Sequence, residues 1–324
     1  MLKPIPPAIM TLYSDLLQQV ETAAQGGALY RRVRDGIEYL YAKTPVGATR
    51  VDVFLGRSDD PAARERADSF VAGAAAARSR REIVRVLRRS GFASPSAEAG
   101  RLMHALAAAD LFERGAVLVG TGAYQLLEAS VGSFLPSATL MTGDLDIAAA
   151  TVAIQADPPE PILAILRRAD PSFTDVPQLD HRALPFRFRA SSGFLVDLLT
   201  PLRTRDDENP VVLSGLEAGA FPAQYLAWLI HGSIRAVALW AAGVPVLVPR
   251  PERYAVHKLI LSQRRAHGHD KRRKDLAQAG ALIAALQSND PFALEDALED
   301  ARAQGAEGWA KPIARSLAEL GLDL

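Results

Sequence analysis

The stretch "MTGDLDIAAA", Met141 to Ala150, sets two aspartates, Asp144 and Asp146, two residues apart in what otherwise reads as a buried strand. In a strand, residues i and i+2 point to the same face. The two carboxylates therefore stand side by side and repel. A fold tolerates that arrangement most readily when something positive, usually a metal ion, sits between them. A solvated strand end at the rim of the protein satisfies an isolated Asp-x-Asp equally well, so the rest of the chain decides its meaning.

Upstream, "AVLVGTGAYQLLEASVG" (Ala116 to Gly132) carries a continuous apolar run into Gly120-Thr121-Gly122 and then an amphipathic pattern. This predicts a strand, a tight turn and a helix, an arrangement that aims backbone N–H groups at an anion such as phosphate. The same glycines equally suit a bare strand-to-helix turn. Downstream, "PFRFRA" and "FLVDLLTP" read as two strands joined at Ser191-Ser192-Gly193. Asp197 interrupts the second, sharing a face with Leu195 and Leu199. A carboxylate in such a run needs a partner. Arg187 or Arg189 on the neighbouring strand would supply one.

Further on, "PERYAVHKLILSQRR" opens a helix with Pro251. Tyr254, Lys258, Leu261 and Arg265 recur along one of its faces. An "AHGHD" loop leads into "KRRKDLAQAGALIAAL", where Leu276, Ala279, Ile283 and Leu286 form a packing stripe and Lys271, Lys274 and Gln278 line another face. Taken alone, Lys258 reads as a surface lysine and His257 as a packing residue. His267 and His269 lack the further ligands a metal site needs. "PFALEDALEDARAQ" and "KPIARSLAEL" read as two closing helices.

Toward the amino terminus, residues 11–34 read as helix, and "IEYLYAK" with "TRVDVFLG" as a hairpin. Asp60 and Pro61 open a long helix that Gly91 stops. Its "RSRREIVRVLRR" stretch (Arg78 to Arg89) is either a solvated face packed on Ile83, Val84 and Leu87 or a surface facing nucleic acid. Another helix spans about 96–112. No internal repeat is visible.

The bulk properties exclude several classes. With 324 residues, 49% of them hydrophobic and 23% charged, the chain is that of a folded globular protein. Lys+Arg and Asp+Glu both count 37, so no global basic excess announces a nucleic-acid binder. There is no cysteine, which removes disulfides, thiolate zinc sites and cysteine nucleophiles. The amino terminus lacks the pattern of a signal peptide, and the longest apolar stretch, Ile234 to Pro249, is too short and too broken to span a bilayer. A cytoplasmic protein without membrane partners is the expectation. Gly120-Thr121-Gly122 does not continue into a dinucleotide fingerprint, because Gln125 stands where Gly or Ala is needed. No Gly-Lys pair occurs, so there is no Walker A motif.

A strand ending in Gly120-Thr121, a strand bearing Asp144 and Asp146, and a later strand bearing Asp197 together resemble the nucleotidyltransferase superfamily related to polymerase β. "LFERGAVLVGTGAY", "TGDLDIA" and "VPRPERYAVHKLILSQRR…KRRKDLAQA" are similar to a bacterial family of predicted nucleotidyltransferases, over roughly Ala116 to Leu286. Two departures stand out: the spacer from Thr121 to Asp144 is long, and Thr121 replaces the commoner Ser.

The resemblance implies an α/β (α+β) fold: a nucleotidyltransferase core with a mixed sheet at 113–250, an N-terminal region of helices and a hairpin at 1–112, and a C-terminal helical domain at 251–324. It implies transfer of a nucleoside monophosphate from an NTP such as ATP to a hydroxyl acceptor on a nucleic-acid end, a protein or a small molecule. Asp144, Asp146 and Asp197 would be catalytic and would hold Mg²⁺ or Mn²⁺. Gly120, Thr121 and Lys258 would bind the nucleotide, with Arg265, Lys271 and Lys274 as further phosphate candidates. The rival from another class is a non-catalytic nucleic-acid-binding protein on a degenerate nucleotidyltransferase fold. Oligomeric state is open at this level.

Overall fold

The computed structural model describes residues 2–22, 28–46, 49–136, 143–149, 160–178, 183–202, 210–266 and 269–324. The chain opens with α1 (Pro7–Glu21), followed by β1 (Ala28–Arg34), β2 (Ile37–Val46) and β3 (Thr49–Arg57). These strands form an antiparallel sheet in the order β1-β2-β3, so the helix expected over 11–34 ends early and its last third is a strand. The cause is Asp35-Gly36, both at positive φ (51° and 75°), which close a two-residue hairpin between β1 and β2. Residues 28–34 therefore pair with 37–43 across a turn.

Next come α2 (Pro61–Arg89) and α3 (Ala97–Ala108). The Asp60 side chain accepts from the N–H of Ala62 at 3.0 Å, capping α2. Gly91, at φ +110°, follows its end. The first half of α2 packs Ala63 and Ala67 against Leu40, Ala42 and Leu55 of the small sheet. Its second half packs Val84 and Leu87 against Leu16 and Val20 of α1.

The central sheet collects β4 (Val117–Val119), β5 (Asp144–Ala148), β6 (Thr174–Asp175), β7 (Arg187–Arg189), β8 (Leu195–Pro201), β9 (Val211–Leu213) and β10 (Ala218–Ala223). Its main path runs β4-β5-β8-β10-β9, with β7 also on β8 and β6 on β7. β5 and β10 pair parallel with β8, whereas β4, β7 and β9 are antiparallel to their neighbours. The sheet is mixed, and the fold is α/β with helices around it. Two short helices lie between these strands, α4 (Gly120–Tyr124) and α5 (Ile162–Ala169), and α6 (Leu226–Ile230) follows them.

The hairpin β11 (Ile234–Ala238) and β12 (Val244–Val248) then leads into α7 (Pro251–Arg264), α8 (Asp270–Asn289), α9 (Pro291–Ala303) and α10 (Lys311–Glu319). One buried core runs from Ala99 to Leu317. It joins the sheet through Leu118, Leu145, Val196 and Leu198 to Leu259, Leu282 and Ile283 of the late helices. Burial of this kind contributes roughly 25 cal/mol per Å² of apolar area, and here it fixes α7 and α8 against the sheet. Among the described residues, no helix is long and apolar enough to cross a membrane.

Candidate active site

β4 is fully buried and ends at Val119. Gly120 turns the chain at φ +63°, a conformation that favours glycine. A Cβ at this position would collide with Oδ2 of Asp146, so the bare backbone of Gly120 is what lets the carboxylate lie against the turn. The Tyr254 hydroxyl on α7 donates to the Gly120 carbonyl at 2.8 Å. The helix behind the turn departs from expectation: α4 is five residues long and Gly122 to Glu128 are buried. Thr121 is half-buried at its start. So short a helix has little dipole, and the turn contributes close backbone approach instead.

Along β5, Leu145 and Ile147 are buried while Asp144 and Asp146 are half-buried on the other face, as the period of two requires. β5 pairs parallel with β8, and the register sets Asp146 directly beside Asp197. The Asp146 carboxyl is pushed up to about 6. Burial is the main cause, Asp144 and Asp197 add repulsion, and Lys258 and Lys271 oppose them. Such repulsion shows that the three charges feel one another.

Asp197 has a partner. Arg187 on β7 grips it with two hydrogen bonds, Nε to Oδ1 at 2.7 Å and Nη2 to Oδ2 at 2.6 Å. The arginine is held more strongly protonated, first by that carboxylate and then by Asp146 and Asp144. Its side chain is 44% exposed against 14% for Asp197, so the pair opens to solvent from the arginine side. Among the described residues, no three of His, Asp and Glu come close enough to hold a metal ion in this conformation.

The facing wall comes from α7 and α8. Lys258 is buried, contrary to its reading as a surface residue, and donates to Asp275 Oδ1 at 2.7 Å. Arg265 donates through Nε to Asp275 Oδ2 at 2.6 Å. Two cations thus share one buried carboxylate, and the group keeps an excess positive charge. Lys274 is half-buried; burial draws its pKa down while Asp144 draws it up. Lys271 is exposed, and its charge reaches Asp146. His257 is buried and its pKa falls to about 3, mainly through burial. Its Nδ1 has no hydrogen-bond partner among the described residues. His269 caps α8, accepting from the N–H of Lys271 at 3.1 Å, and His267 lies outside the described residues.

Asp275 and Arg187 are the functional-site residues that sequence patterns did not single out with a definite role. Arg187 stood as one of two alternatives for Asp197. Asp275 was hidden in a basic run, although Asp275, Ala279 and Leu282 recur at helical spacing on the buried side of α8.

Between the walls lies a cleft of about 350 Å³. Gly120 and Asp146 border it at one side and Lys258, Arg264 and Arg265 at another, with Leu199, Leu226 and Leu229 giving apolar surface. Asp146 and the cations therefore address one space.

Among curated proteins, no sequence matches this chain. An antigenic nucleotidyltransferase-like protein from Paracoccidioides brasiliensis, known from its crystal structure, is 16% identical, with 68% of this chain and 94% of that one covered and a TM-score of 0.34. The family model described as nucleotidyltransferase matches residues 97–303, which take in β4, β5, β8, α7 and α8 and more than half of the sequence. The chain belongs to this nucleotidyltransferase family.

Proposed function

We propose that the cleft performs metal-dependent transfer of a nucleoside monophosphate from an NTP to an acceptor hydroxyl, in the manner of the polymerase β-like superfamily. The observation that carries this reading is the contact of Gly120 with Asp146, beside Asp144 and Asp197 and across one cleft from Lys258 and Arg265. Mg²⁺ is commonly held through one or two carboxylates together with phosphate oxygens. Asp144 and Asp146 fit that demand: both are oxygen donors, and the raised Asp146 carboxyl marks a place short of positive charge. When bound, the ion would draw charge off the transferred phosphate and the attacking oxygen.

The chain's own residues do the rest. Lys258 and Arg265 attract the β and γ phosphates, helped by Lys271 and Lys274. Gly120 admits the triphosphate close to the backbone, and Thr121 offers a hydroxyl and an N–H. The acceptor oxygen bonds to the α phosphorus, the bond from that phosphorus to the bridging oxygen breaks, and pyrophosphate leaves. Asp197 is the base for the acceptor proton once Arg187 releases it.

The fork of Arg187 on Asp197 also favours a second reading, in which the fold binds a nucleotide or nucleic acid without transferring anything. Incubation with each α-labelled NTP, Mg²⁺ or Mn²⁺ and cell extract separates the two. Transfer predicts label in an acceptor with the native chain, reduced at least about 100-fold by Asp144→Asn or Asp146→Asn, the scale of losing a charge-stabilising group. Equal labelling by native and altered chains, or none with any NTP, contradicts it.

A further inference from the structure

A second concave surface lies outside the aspartate cleft and shares no residue with it. Between α2, α3 and the turn joining β11 to β12 is a groove of about 830 Å³, lined by Arg81, Arg85, Arg88, Arg89, Arg101 and Trp240. Arg81, Arg85 and Arg88 recur at i, i+4 and i+7, so one face of α2 presents them together. Among the described residues, only Arg85 of the five is in an ion pair, with Glu82 on the same helix. Five arginines thus line one groove of a chain whose acidic and basic residues are equal in number.

The floor is fixed. Arg80 is buried and donates through Nε to the Ala242 carbonyl at 3.3 Å, tying α2 to the β11–β12 turn. Trp240 lies against Gly100 of α3, where any Cβ would collide with the indole. The ring stays half-buried, with the rest of its surface turned to the groove.

We infer that this groove binds single-stranded nucleic acid, with the arginines on successive phosphates and an unpaired base stacked on Trp240. Guanidinium forks match phosphate oxygens in pairs. An aromatic platform beside a basic track is how sequence-tolerant single-strand sites are built. An acidic peptide would satisfy the charge but leave the indole without a stacking partner, and a duplex keeps its bases out of reach.

The test uses the full chain and a fluorescein-labelled oligouridylate of about 15 nucleotides, titrated by anisotropy at several salt concentrations. The Arg81→Ala, Arg88→Ala, Arg89→Ala triple variant should weaken binding at least about tenfold and flatten the salt dependence by about 0.7 per lost phosphate contact. The matching triple lysine variant should keep the slope. Trp240→Phe should retain binding and Trp240→Leu should weaken it without changing the slope. Asp146→Asn should bind as the native chain does, so this site stands or falls apart from the transferase reading. An unchanged affinity and slope in the alanine variant would overturn the inference. So would a duplex binding as tightly, or polyglutamate displacing the oligonucleotide at equal charge concentration.

Discussion

The two walls of the cleft carry opposite imbalances of charge. On β5 and β8, Asp144, Asp146 and Asp197 all act on the charge of Arg187, which Asp197 fixes by two hydrogen bonds. On α7 and α8, Lys258 and Arg265 face a single fixed carboxylate, Asp275. Each wall is partly neutralised from within, by a residue that sequence patterns left ambiguous or missed, and each keeps a remainder. A negative remainder opposite a positive one is what a metal–triphosphate complex, itself of both signs, would complete. The walls also differ in solvation: Asp275 is 4% exposed in its side chain, whereas Arg187 is 44% exposed. A change at the buried helical-wall pair should therefore be read first in stability, and a change at the exposed Arg187 first in function.

The largest stability effect should come from Asp275→Ala. It leaves Lys258 buried without its counter-charge, which costs about 3–5 kcal/mol for pairs of this kind. Chemical denaturation reads it, and a loss below about 1 kcal/mol would show that the two cations relax into solvent. Gly120→Ala should follow at about 2 kcal/mol, because a residue with Cβ is strained at φ +63° and must also displace Asp146. Nucleotide binding should fall with it. A stable, fully active Gly120→Ala chain would break the link between the turn and the carboxylate.

His257 gives the pH dependence. Burial, then Lys258 and Arg265, hold it neutral, and Asp275 pulls the other way. The folded chain therefore binds its proton only near pH 3, while the unfolded chain takes one near 6.5. The stabilisation is complete above 6.5 and is lost as pH falls below it, at up to about 1.4 kcal/mol per pH unit. His257→Asn should flatten the stability curve between pH 6.5 and 5 relative to the native chain. Parallel curves would refute the assignment. The smallest stability effect belongs to Arg187→Gln, about 1 kcal/mol, because the arginine side of the pair is open to solvent. Its informative readout is transfer rate, which should be retained or raised because Asp197 is released.

Much of the sheet wall was legible in the sequence because strand periodicity is local. Asp144 and Asp146 share a face by a rule of two residues, and Asp197 stands out as a lone acid among Phe, Leu and Val. The helical wall was less so. Lys258 reads as a surface residue until Asp275, seventeen positions away, is brought against it by the packing of α7 on α8. That pairing depends on how two helices dock, which no local pattern encodes. The failure at β1 has another origin. Asp35-Gly36 is a strong hairpin signal, and it ends the helical pattern that starts in α1. At α4 the amphipathic pattern was present, yet burial on all sides lets the segment leave the helix after one turn.

The most direct measurement is Mn²⁺ binding, followed by electron paramagnetic resonance with a non-hydrolysable NTP analogue. Metal and analogue should each tighten the other's binding to the native chain. Asp146→Asn should abolish the metal signal, and Lys258→Met should weaken the analogue without abolishing metal. Binding of Mn²⁺ and analogue that is independent of each other, or unaffected by Asp146→Asn, would contradict it.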